Sequence, residues 1–125
     1  MRSVNKVIVM GYLATDPELK TTVSGIPVTK FKIATNRDWM TPEGEKKEFA
    51  DFHSVVAWRK LGENIAKNLS KGSGVYLEGR LSNYVYKDAE GKERKATEIV
   101  ADNINFITYK KNKESEMINL VEVPS

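Results

Sequence analysis

The chain has 125 residues, with 40% hydrophobic and 30% charged side chains and a formal net charge of +3. That length supports one domain with a real core but not two comfortable ones, and no apolar run approaches the ~20 residues of a membrane span. Without cysteine, disulfide and thiolate chemistry are excluded and a cytoplasmic location is expected.

The segment from Val4 to Leu13, rich in Val and Ile and followed by the turn signal Asp16-Pro17, reads as a first long strand. Apolar residues lie on both of its faces, so a second cover is expected, which in so small an all-β domain points to another subunit. "GIPVTKFKIATN" follows as a second strand, with Phe31 and Ile33 alternating against Lys30 and Lys32, one face core and the other basic. "RDWMTPEGEKKE" has the Pro, Gly and charge content of a loop but carries Trp39.

A third strand runs from about Phe49 to Trp58. It places Phe52, Ser54 and Trp58 on one face and Val55 and Ala57 on the other, the expected core face. "KLGENIAKNL" spaces Leu61, Ile65 and Leu69 as a short amphipathic helix, ended by "KGSG" with Gly72 near the C-terminal position. "VYLEGRLSNYVY" sets Val75, Leu77, Gly79 and Leu81 against Tyr76, Glu78, Arg80, Ser82, Tyr84 and Tyr86. The "DAEGKE" turn then closes a hairpin into a last strand ending near Tyr109. Three strands, one helix and two strands form the order of an all-β OB-fold, a five-stranded Greek-key barrel with one short helix between strands three and four. The domain is expected over residues 1–109, and residues 110–125 as a short flexible C-terminal tail.

Five rings fall away from the expected core or on loops: Trp39, Phe52, Trp58, Tyr84 and Tyr86. Flat apolar faces within reach of water are what base stacking requires. Arg2, Lys6, Lys20, Lys30, Lys32, Arg59, Lys60, Lys71 and Arg94 are among the cations interleaved with them, the arrangement expected where a phosphate backbone follows a path of stacking rings. The short helix is not markedly basic, which argues against duplex readout by a recognition helix.

Catalysis has little material. His53, the sole histidine, lies two residues from Asp51 on one strand face, a general-base arrangement outweighed by a hydrogen-bonded structural or interface role. Glu43, Glu45 and Glu48 alternate with lysines as a solvated loop does, so a metal-dependent nuclease is the weaker alternative, and neither metal nor cofactor is expected. "KGSG" follows the helix and so is no phosphate loop.

The blocks "VNKVIVMGYLATDPEL", "FKIATNRDW", "FHSVVAWRKLGENIAKNLSKGSGVYLEGRL" and "ATEIVADNINF", taken in order, closely resemble the bacterial and organellar single-stranded DNA-binding protein (SSB) family. The resemblance implies an OB-fold that coats single-stranded DNA with little sequence preference, in replication, recombination and repair, without catalysis. It implies stacking by Trp39, Phe52, Trp58 and Tyr86, phosphate contacts by Arg2, Lys6, Lys20, Lys60, Lys71 and Arg94, and subunit contacts by His53 and Tyr76. A homotetramer is the expected assembly. Ser54, Ser82 and Tyr84 stand where family members can carry arginines. The family's acidic recruiting tip has no counterpart in "KKNKESEMINLVEVPS", so replication partners are not expected through that route. A primosome-type OB protein is the alternative within the fold.

Overall fold

The computed structural model describes residues 1–108, and the tail expected over 110–125 lies outside them. Six strands and one helix follow in the order β1 (Val7–Leu13), β2 (Glu18–Thr21), β3 (Pro27–Met40), β4 (Lys46–Trp58), α1 (Arg59–Asn68), β5 (Gly74–Lys87) and β6 (Glu93–Thr108). The sheet order β1-β5-β6-β4-β3-β2, with β1 also pairing β3, closes five strands into a barrel and leaves β2 as an added edge. All pairings are antiparallel except the short parallel one between β4 and β6, Val55 opposite Ile99 and Val56 opposite Val100.

Alternation builds the interior. Phe31, Ile33, Val55, Ala57, Val75, Leu77, Ile99 and Phe106 point into one buried cluster, closed at one end by Ile65 and Leu69 from α1 and its C-terminus. Thr29, fully buried, donates its hydroxyl to the Gly62 carbonyl at 2.7 Å and ties the helix to β3. Gly11 sits at the closing seam: a Cβ there would collide with the Ala34 carbonyl oxygen. Only a residue without a side chain lets β1 and β3 approach closely enough to pair Tyr12 with Ala34 and Leu13 with Ile33.

Several expectations are corrected. Trp39 lies on a strand, because β3 and β4 form a long hairpin whose loop shrinks to residues between Met40 and Lys46. Cross-strand pairs from Asn36–Ala50 to Met40–Lys46 hold the polar segment extended, which its loop-like composition concealed. The helix ends at Asn68 with Leu69 already extended; Gly72, φ 94°, belongs instead to the following turn and donates to the Leu13 carbonyl. Leu81 is exposed, as β5 has by then left the barrel. Val56 is buried on the outer face against Val28 and Val100. The first strand begins at Val7, preceded by Asn5, whose amide side chain both donates to and accepts from the Leu81 backbone, imitating one further strand pair.

Candidate nucleic-acid interface

Pairing register decides which side chains share a surface. On the outer face of β3 and β4 the directly opposed pairs are Val28–Trp58, Lys30–Val56, Lys32–Ser54 and Ala34–Phe52. Val56 continues the same face to Val100 on β6, and Val100 to Arg80 on β5. Beyond them Ser82 faces Glu98, Tyr84 faces Ala96 and Tyr86 faces Arg94. Phe52, Trp58, Tyr84 and Tyr86 thus stand on one continuous outer surface, all exposed, with Lys30, Lys32, Arg80 and Arg94 among them. Tyr84 and Tyr86 lie 6.0 Å apart and tilted at 41°.

The missing cation beside Ser54 is explained by this register. Ser54 is directly opposite Lys32, so the adjacent strand supplies the charge that Ser54 lacks. The two residues line a groove of about 300 Å³ with Lys30, Thr15, Tyr84 and Glu98 among its other walls. Its lining combines the Phe31 and Tyr84 rings and two ammonium groups with the carboxylates of Asp16, Glu18 and Glu98, which offset the lysine charge. Arg59, directly after Trp58, has φ 59°, a left-handed conformation unusual for a side-chain-bearing residue. The turn it makes takes the chain from β4 straight into α1, with Arg59 and Lys60 following Trp58 directly in the chain.

Other expected phosphate contacts are held in ion pairs or lie away from the ring surface. Lys20 pairs with Glu18 at 3.0 Å, Lys6 with Glu78 at 3.6 Å and Arg94 with Asp88 at 2.9 Å. Exposed ion pairs of this kind are worth ~0–1 kcal/mol, so a phosphate could exchange for the carboxylate at small cost. On β2, Lys20 opposes Val28 of β3 and remains contiguous with the ring surface. Lys6 instead lies by Tyr76, whose hydroxyl donates to Glu78 at 3.1 Å; that bond, with partial burial and the nearby carboxylate charge, raises the phenol above its ordinary pKa. The Lys71 amide donates to Asp16 at 2.8 Å, and Arg2 is exposed ahead of β1.

His53 and Asp51 each bond to a different neighbour. His53 Nε2 shares a 2.9 Å hydrogen bond with the Thr35 hydroxyl, while Asp51 accepts from Arg37 Nε at 2.8 Å. In the hairpin Glu45 and Glu48 pair with Lys47 and Lys46, as expected of a solvated segment.

Trp39 departs most from expectation. Its odd-numbered position puts it on the face of β3 opposite to Lys30 and Lys32, and thus opposite to the Phe52 and Trp58 rings. There it stacks on Phe49, with ring centroids 4.4 Å apart and planes within 5°. Phe49 was not among the expected site residues. Had the hairpin been drawn through residues 36–50, the diagonal proximity of Phe49 and Trp39 would have followed from their parity.

A model of the Single-strand binding protein family matches residues 4–107. The chain belongs to this family. It is 40% identical over 113 residues to a single-stranded DNA-binding protein of Staphylococcus aureus strain MRSA252, covering 90% of this chain and 71% of that one. Single-stranded DNA-binding protein 3 of Listeria innocua is 40% identical over 109 residues, 87% of this chain and 67% of the relative. Among solved structures, the Plasmodium falciparum SSB in complex with single-stranded DNA superposes with a TM-score of 0.76 at 27% identity, over 86% of this chain and 97% of that one. SSB membership accords with the OB-fold barrel and its single helix.

Proposed function

We propose that this SSB-family chain binds single-stranded DNA with little sequence preference and coats it during replication, recombination and repair. The observation that carries the reading is the shared outer surface of β3, β4, β6 and β5, where four exposed rings alternate with cations. Rings accept any base because every base has a π-face, and each stacked base contributes ~1–3 kcal/mol in folds of this kind. Phosphate contacts by Lys30, Lys32, Lys60 and their neighbours release counterions, so affinity falls as salt rises. The role is binding without chemistry: His53, Asp51, Glu45 and Glu48, which could have served as acid, base or metal ligands, are engaged with Thr35, Arg37 and the hairpin lysines. Residues 1–109 act as the binding domain, in a cytoplasmic setting; no described helix is long and apolar enough to cross a membrane.

The functional unit is a homotetramer. Ile8, Met10 and Tyr12 project from the outer face of β1 into solvent, beside Tyr76, which pairs directly with Met10. An apolar strip of this kind on a barrel side gains by meeting its equivalent in another copy. His53 joins a second contact between copies.

Titrating poly-dT into the protein while following tryptophan emission at several salt concentrations, with mass by light scattering, tests the whole reading. Quenching that weakens with salt, at a tetramer mass, is the expected outcome; equal affinity for duplex DNA would overturn it. Trp58→Ala should lower affinity roughly 5- to 100-fold with the tetramer intact, whereas replacing His53 should loosen assembly first.

A further inference from the structure

We infer that Phe49 is a positioning residue for the Trp39 stacking station that the family resemblance implies: the two rings form one prestacked platform on the side of the β3–β4 hairpin opposite to Phe52 and Trp58, with Arg37 beside it. The inference rests on the single-stranded DNA reading above. It starts from register: Arg37 directly opposes Phe49, and Trp39 opposes Lys47, so Trp39 and Phe49 are diagonal neighbours on one face. Their rings are parallel within 5° at 4.4 Å, an offset stack that leaves Trp39 with one covered face and one open face.

The place of Arg37 shows that the open face is available. Its guanidinium carbon is 5.9 Å from the Trp39 centroid and 5.7 Å from that of Phe49. Over the outer face of either ring it would be close to one and far from the other. Near-equal distances to two parallel rings put it beside the stack, where it caps neither outer face. Asp51 holds it there through the 2.8 Å bond to Nε. The outer surfaces of both rings are therefore free of Arg37, and each ring remains partly exposed.

Such a pair receives a base differently from a lone ring. The base continues an existing stack instead of inserting into it, and Trp39 need not be immobilised at the moment of binding, so less conformational entropy is lost. Because β3 and β4 alternate strictly through this region, a strand of DNA that meets both stations passes around the hairpin and does not run along one face. The long extended hairpin, which carries no residue of the buried core beyond Ile33 and Val55, then serves as a two-sided binding arm.

The test uses the full chain with 5-fluorotryptophan at its two tryptophans and fluorine NMR during titration with an oligo-dT long enough to span the barrel, the resonances assigned with Trp39→Phe. Both resonances should move on binding. In Phe49→Ala the Trp39 response should vanish and affinity fall about two- to tenfold, with the Trp58 response retained as evidence of an intact barrel; Phe49→Tyr should restore both. A Trp58 resonance that moves while Trp39 stays still would overturn the platform and leave DNA binding standing. Failure of both to move, with no complex on a gel, would overturn the DNA reading itself. An unchanged Trp39 shift and affinity in Phe49→Ala would remove Phe49 from the site.

Discussion

At Ser54, individual side chains and their neighbours cannot be judged along the chain alone. The serine sits between Phe52 and Trp58 in sequence, yet the cation for that stretch is Lys32, one strand away and directly opposite. Asp88 is a comparable case of local chemistry with a measurable consequence. It accepts from Arg94 Nε at 2.9 Å and from the backbone amides of Lys92 and Glu90, and these bonds, that of Arg94 foremost, hold its carboxyl below the ordinary value. A carboxylate with a depressed folded-state pKa contributes stability that is present above its unfolded value and lost as pH falls through the folded one. Asp88→Asn should therefore be less stable than the parent at neutral pH, and the difference should shrink as pH drops below the carboxylate range. Urea denaturation at a series of pH values reads this directly; a gap independent of pH would rule out the ionised form as the source.

Among the elements, the β3–β4 hairpin and the β1–β3 seam decide the most. The hairpin was legible only to Asn36 on one side and from Phe49 on the other, since Pro42, Gly44 and the alternating charges from Glu43 to Glu48 mark a turn as strongly as they resist a strand. What keeps the polar stretch extended is the paired backbone, a nonlocal property. At the seam the prediction is specific. Gly11→Ala would press a methyl group into the Ala34 carbonyl, and forcing the strands apart should cost about 1–3 kcal/mol, seen as a lower denaturation midpoint with the slope unchanged. The same change at Gly25, a turn glycine with φ 86° and nothing near it, should act through backbone strain alone, so the pair separates crowding from conformation.

For the whole molecule, the barrel covers its own core but not the outer side of β1. Ile8, Met10 and Tyr12 stand exposed there, as the two-sided hydrophobicity of Val4–Leu13 foretold. Charge introduced at the middle of that strip should be tolerated by the barrel and not by an assembly. Met10→Glu is expected to remain folded by circular dichroism and to shift the light-scattering mass below a tetramer. A tetramer that survives this change would move the interface elsewhere.

Local patterning along the chain was enough to establish five barrel strands, a single helix between the third and fourth, and which residues point inward over most of their length. Those features repeat every two or about four residues and depend on hydrophobic burial, which a short window reveals. Only the tertiary structure decided that Gly11 is needed where the barrel closes, that Lys32 serves Ser54, and that Trp39 lies across the hairpin from Phe52 and Trp58 with Phe49 behind it. Each of these depends on which strand meets which and in what register. Register is a property of distant pairings, and a shift of one residue would exchange the two faces and every ring upon them.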